Sequence, residues 1–240
     1  MDVKLKDTYR LRVSDFNCYD ILTPHAILDL FQDIAGKHAT NYNMSYDDLI
    51  ANNMIWVLAK VKYKVISQCQ LYSNVNVITW PKNKGLVDFD RSTQIYDLDG
   101  NLLVAGISKW IIINSETRKI IPAKHINYTT LTSDEKSFED DNFEKLKDFD
   151  IVDAMHFKYQ IEYVDLDHNG HVNNIRYCYM ISNALRLKEN ELIDSFQIDF
   201  LNETHDNDVL DIYYKKNSNY YDVKALNKDN LVFIAKVELQ

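Results

Sequence analysis

The chain has 240 residues, with 27 Lys and Arg against 36 Asp and Glu, a formal charge of −9 at pH 7. That acidity argues against general nucleic-acid binding. Hydrophobic residues make up 46% and charged residues 26%, ordinary globular usage that excludes disorder, collagen and low complexity and allows one large domain or two of about 100 residues.

A strand is expected at 9–14. Ile27, Leu30, Phe31, Ile34, Ala35 and His38 then share one face at helical spacing, and Thr23-Pro24 supplies an N-cap and a first-turn proline, so the spacing predicts a helix over 24–42. His38 lies on the apolar face and reads as a core histidine. Lys60 to Val65 and Asn74 to Ile78 alternate polar and apolar residues, as half-buried antiparallel strands do. The runs 87–98 and 101–114 flank Asp99-Gly100, a hairpin signal.

Residues 123–155 contain Ser133-Asp134-Glu135-Lys136 and Glu139-Asp140-Asp141-Asn142 with little apolar period, and read as a linker that crosses the surface. Beyond it come a strand at 157–164, a helix over 174–187 carrying Ile175, Cys178, Ile181 and Leu185 on one face, and strand runs at 192–201, 208–216, 219–227 and 230–239. Each half has the same order of strand, loop, long helix and four strands. The expected organisation is therefore an internal duplication of class α+β, with units at 1–122 and 156–240 joined by 123–155 and forming one rigid body.

Cys18, Cys69 and Cys178 are odd in number and widely spaced, which argues against a disulfide framework or a thiolate zinc site and fits a reducing cytoplasm. No apolar run is long enough to span a bilayer, and none follows the first lysines, so a soluble protein without membrane insertion is expected.

The most polar segment beside apolar runs is Asp165-Leu166-Asp167-His168-Asn169-Gly170-His171-Val172-Asn173-Asn174, the loop that leads into the second helix. A helix start offers free N–H groups and the positive end of the dipole, which suit a developing oxyanion; Val172, Asn173 and Asn174 are the expected backbone donors. His171 and Asn169 can orient a water, and Asp167 can fix the loop. Glu203, at the polar end of the strand from Phe196, is a candidate base. A metal bound through Asp165, Asp167, His168 and His171 is disfavoured because no HExxH or Cys/His spacing accompanies them.

The Asp-x-Asn-x-His-Val-Asn-Asn string before a helix resembles the catalytic loop of plant and bacterial acyl-acyl-carrier-protein thioesterases. The resemblance extends to Leu28 through Ala39, Trp56-Val57-Leu58-Ala59-Lys60, Thr79-Trp80-Pro81, and Ser108-Lys109-Trp110 through Thr117-Arg118-Lys119. It implies two fused hot-dog domains, each a long helix wrapped by a curved antiparallel sheet, with the acyl chain in the first and catalytic Asp167, Asn169, His171 and Glu203 in the second. Thr204 stands where plant members carry Cys, so attack by water rather than by a cysteine thiolate is implied.

The implied reaction is hydrolysis of acyl-carrier-protein thioesters to free fatty acids, with no cofactor and no metal. The partners would be an acyl carrier protein and its acyl thioester, and the enzyme a monomer or homodimer. An acyl-CoA thioesterase and a non-catalytic acyl-thioester-binding regulator are the alternatives. Trp56 is the candidate acyl-tunnel residue. Arg10 with Arg12, the Lys60, Lys62 and Lys64 row, and Lys82, Lys84, Arg118 and Lys119 are candidate docking cations for an acidic carrier, the two rows serving equally well as solvated strand faces.

Overall fold

The structure is a computed structural model that describes residues 2–126 and 131–240. The first half runs β1 (Leu5–Arg10), α1 (Pro24–Thr40), α2 (Tyr46–Ile50), β2 (Met54–Val65), β3 (Asn74–Lys84), β4 (Asp88–Tyr96) and β5 (Leu102–Asn114). The second runs β6 (Met155–Gln160), α3 (Asn174–Leu185), β7 (Ile193–Phe200), β8 (Val209–Lys216), β9 (Tyr220–Asn227) and β10 (Asn230–Leu239). Among the described residues the ten strands join one antiparallel sheet in the order β1-β3-β4-β5-β2-β7-β10-β9-β8-β6. The halves meet where β2 pairs with β7, with Val61 opposite Ile198 and Tyr63 opposite Phe196.

Each half is a hot-dog unit, its long helix laid against its own part of the sheet. Alternation sends Val61 and Tyr63 toward the helices and Lys60, Lys62 and Lys64 to the other face. Phe31 of α1 meets Tyr63 edge-on at 6.5 Å, and Tyr63 stacks on Phe196 at 5.3 Å. The two helices also touch each other, with His25 of α1 stacked on Tyr179 of α3 at 3.6 Å. Fusion therefore lets each unit cover the sheet edge that the other would leave open.

Several boundaries differ from the sequence expectation. β1 and β6 begin and end earlier than 9–14 and 157–164, because the Asp15 and Asp165 carboxylates accept the N–H groups of Arg12 and Glu162 and turn those residues into a 3₁₀ loop. α1 ends at Thr40 and α3 at Leu185, where Arg186 takes a left-handed conformation (φ 45°). The short helix α2 is absent from the expectation; its capping box, Ser45 with Asp48, is the local signal for it.

Of the sequence linker, residues 127–130 lie outside the described residues, and residues 131–154 form neither helix nor strand. They cross the sheet on the face opposite the helices. Gln94 donates to Ser137 O (2.7 Å), Lys62 to Asn142 O (2.9 Å), and Lys224 to Phe149 O (2.5 Å). Glu144 and Gln197 exchange two hydrogen bonds, both 2.9 Å. The Lys60 to Lys64 row is thereby engaged within the fold: Lys62 is 4% exposed beneath the strap, while Lys60 and Lys64 face Asp199 and Asp194 of β7.

One polar atom in the seam is unmatched. Tyr63 is 1% exposed and its hydroxyl has no hydrogen-bond partner among the described residues. A buried orphan of this kind costs about 1–3 kcal/mol. Tyr63→Phe keeps the ring and removes the oxygen, and a thermal melt is expected to show Tm raised by about 2–6 °C.

Candidate functional site

Residues 15–23 and 165–173 are folded alike. In each loop a buried Asp carbonyl, Asp15 or Asp165, accepts the N–H of the residue before the helix, Thr23 at 3.0 Å or Asn173 at 2.9 Å. A tight turn inside each needs a left-handed residue, Asp20 (φ 56°) or Gly170 (φ 75°). Asn17 Oδ1 accepts from Tyr19 and Ile21 in the first loop; Asp167 Oδ1 accepts from Asn169 (2.8 Å) and His171 (3.3 Å) in the second. The duplicated frame is thus the same, and its side chains differ: Tyr19 and Ile21 stand where the second loop carries Asn169 and His171.

Glu203 is brought to this loop by the chain beyond β7. The N–H groups of Leu201 and Asn202 donate to Val232 O, and Thr204, fully buried, accepts the Val172 N–H on its carbonyl at 3.1 Å while its hydroxyl bonds Tyr177 OH at 2.8 Å. Pinned in this way, Glu203 Oε2 lies 3.4 Å from His171 Nε2. The His171 ring also contacts that of His205 at 5.0 Å. Thr204 is thus a packing residue. Burial pushes the Cys69 thiol up to about 12 and the Cys178 thiol higher still, so neither is an available thiolate.

The first half contributes to the same place. Arg118, in the turn after β5, pairs its guanidinium with Glu203, so the carboxylate is held between a guanidinium and an imidazole. Tyr46 of α2 donates to Asn169 Oδ1 at 3.4 Å and sets its ring edge-on to His168 at 4.5 Å. Neither contact has a local sequence signature; Arg118 stands as a docking candidate in the sequence and as a partner of Glu203 in the fold.

The expected oxyanion donors are corrected in part. The Val172 N–H is engaged by Thr204 O and the Asn173 N–H by Asp165 O, because both belong to the loop frame. The next donors, Ile175 and Arg176, bond Asn173 Oδ1 (3.0 Å) and Asn173 O (2.8 Å). Asn174 N–H, at the first position of α3, has no partner among the described residues.

A cavity of about 660 Å³ opens at this point and runs between α1 and the first-half sheet. Asp167, His168, Asn169, His171, Val172, Asn173, Asn174 and Glu203 line one end, and Ala35, Ala39, Ile55, Trp56, Phe89 and Trp110 line the rest. Trp56 is held by a bond from Nε1 to Met44 O (3.0 Å) and by edge contacts with Phe89 (5.1 Å) and Trp110 (6.4 Å). Trp80, by contrast, is fully buried under the strap, donating to Glu135 O.

His38 is 2% exposed and its Nδ1 accepts from Arg91 at 3.0 Å. Burial first, and the Arg91 charge second, hold its pKa down to about 4. A histidine lowered from an unfolded value near 6.5 takes up its proton more readily unfolded, so it stabilises the fold above that value and the contribution is lost as pH falls toward 4. Melts across pH 7 to 4 are expected to fall less steeply for His38→Gln than for the parent chain.

Among the described residues no cluster of three His, Cys, Asp or Glu is placed to hold a metal, and no helix is long and apolar enough to cross a membrane. Two helix-on-sheet units fused through one continuous sheet are the double hot-dog thioesterase fold. Residues 2–125 match the acyl-ACP thioesterase N-terminal domain and residues 150–236 the acyl-ACP thioesterase C-terminal domain; the chain belongs to the acyl-ACP thioesterase family.

A crystal structure of an acyl-ACP thioesterase from Bacteroides thetaiotaomicron superposes with a TM-score of 0.86 at 23% identity, covering 99% of this chain and 98% of that one. The 12:0-ACP thioesterase from Umbellularia californica gives 0.87 at 18%, covering 100% and 98%. The chloroplastic oleoyl-acyl carrier protein thioesterase of Coriandrum sativum is 24% identical over 219 residues, 81% of this chain and 59% of that protein. The chain thus spans about three-fifths of the length of this plant relative.

Proposed function

We propose that the chain hydrolyses the thioester of acyl-acyl carrier protein to free fatty acid and carrier, with water as the nucleophile. The observation that carries this reading is the Glu203–His171 pair, 3.4 Å apart beside the start of α3, at the end of a cavity lined for most of its extent by apolar residues of the first half. The acyl chain enters the first-half part of the cavity and its thioester stays at the polar end. Glu203 and His171 take the proton of the attacking water. Asn169 positions water or substrate, Asp167 holds the loop, and the Asn174 N–H faces the carbonyl oxygen as it gains charge. The C–S bond then breaks and the proton passes to the departing thiolate, which leaves as the thiol.

Hydrolysis needs no redox group, and the three free cysteines fit a reducing cytoplasm. Docking of an acidic carrier falls to cations near the cavity. Lys119 lies between Arg118 and Ile120, two lining residues, and Lys84 reaches Ala123 O beside them at 3.4 Å. Reversing both charges, Lys84→Glu with Lys119→Glu, is expected to raise KM for the carried substrate several-fold, more so at low salt, and to leave small thioesters unaffected. Equal loss on both substrates would place these lysines elsewhere in the mechanism.

The test of the reading is mass spectrometry of acids released from a panel of acylated carriers, run beside the same acyl chains on CoA. Release from carriers with a higher kcat/KM than from CoA is expected. Higher kcat/KM on CoA assigns the enzyme to that substrate, and no release above the blank removes the hydrolase reading.

A further inference from the structure

Gln32 lies on α1, in the other half of the molecule from the loop that carries His171. It lines the cavity together with Asn174 and Tyr177 at the start of α3. Its Nε2 is closed off from solvent and has no hydrogen-bond partner among the described residues. An amide donor left in that condition is unfavourable, and a turn of the side chain that brings Nε2 to an acceptor in the cavity Gln32 lines relieves it.

The start of α3 supplies the second observation. Val172, Asn173, Ile175 and Arg176 all have engaged N–H groups, which leaves the backbone of Asn174 alone to face an oxyanion. One donor makes a poor hole, since an oxygen gaining negative charge accepts two or more hydrogen bonds. The aromatic donors of the cavity wall are already used: the Trp56 indole on Met44 O, the Trp110 indole on Ser108 Oγ, and the Tyr177 hydroxyl with Thr204.

Resting on the thioesterase reading, we infer that Gln32 is a catalytic residue that donates its side-chain N–H to the thioester carbonyl oxygen and completes, with the Asn174 N–H, the site that receives negative charge as water adds. The amide forms and breaks no covalent bond. It places one donor of the hole on each hot-dog unit, so the hole exists only where α1 and α3 meet. This also gives the fusion a chemical consequence beyond covering a sheet edge.

The test compares the full-length parent chain with Gln32→Met and Gln32→Glu on an acylated carrier that the parent hydrolyses. Met keeps the side-chain length without a donor, and Glu keeps the shape without an N–H. Both are expected to lower kcat about 10²–10³-fold with KM near the parent value, because the contact strengthens as charge develops. Tm of Gln32→Met is expected to equal or exceed that of the parent, since an unmade hydrogen bond is removed. A trifluoromethyl ketone analogue of the acyl thioester, whose tetrahedral hydrate mimics the water adduct, is expected to bind Gln32→Met at least tenfold more weakly than the parent.

Gln32→Met with parental kcat, or with kcat lost together with Tm, overturns the inference and leaves the thioesterase reading standing. A parent chain that releases no acid overturns the reading beneath it.

Discussion

Glu203→Gln is expected to lower kcat on an acylated carrier by about 10²–10⁴-fold, the range for loss of a positioned general base. The amide has the size of the carboxylate and can still accept from Arg118, so the chain beyond β7 keeps its path. What is lost is the charge 3.4 Å from His171 Nε2 that lets the pair take a proton from water. The Glu203 side chain is 40% exposed, and its replacement is expected to move stability by no more than about 0.5 kcal/mol. A circular-dichroism melt beside the kinetics therefore separates chemistry from folding.

His171→Ala is expected to cost a similar factor. The double variant should lose far less than the product of the two, because groups that act as a unit are not additive. Parental turnover in Glu203→Gln would remove the carboxylate from the mechanism and leave His171 to act through another partner.

How much of this is legible in the sequence follows from the range of each interaction. The alternation at Lys60 to Val65 and the Asp99-Gly100 turn are local signals, and both correspond to β2 and the β4–β5 hairpin. The loop at 165–174 was readable because its polar residues stand directly before a helical period. The ends of the edge strands β1 and β6 are not legible, since their half-exposed faces end in loops whose hydrogen bonds to Asp15 and Asp165 leave no period. Which N–H groups of the loop remain free could not be read, because Val172 is engaged by Thr204, a residue far along the chain. The Arg118–Glu203 pair is equally silent in sequence: each residue is ordinary in its own turn, and only the β2–β7 seam brings the two turns together. The same holds for Lys62, a strand lysine whose burial depends on where the acidic strap lies.

Gly106→Ala is expected to be the most damaging single methyl in the chain. Gly106 sits in β5 opposite Tyr63, and a Cβ there would lie 2.6 Å from Phe31 Cε2, 2.7 Å from Lys62 O and 2.8 Å from Tyr63 Cβ. Two of these atoms belong to a paired central strand and cannot retreat without breaking the β2–β5 ladder. Phe31, 2% exposed, can move only by lifting α1 from the sheet.

Overpacking of this kind costs about 1–3 kcal/mol or more, and a Tm lowered by about 3–10 °C is expected. Because α1 is also one wall of the cavity, the shift should change the acyl profile as well as the melt. Gly36 provides the internal control. It lies in the same helix with nothing within 4 Å of its Cβ position and no left-handed φ, so Gly36→Ala gains helix propensity of about 0.8–1.0 kcal/mol and is expected to raise Tm. Opposite signs from the same added methyl would show that the stability of α1 is set by its contact with the sheet at Gly106. Equal signs would mean that the close approach of Phe31 to β5 is not rigid, and that α1 can shift to admit a larger group.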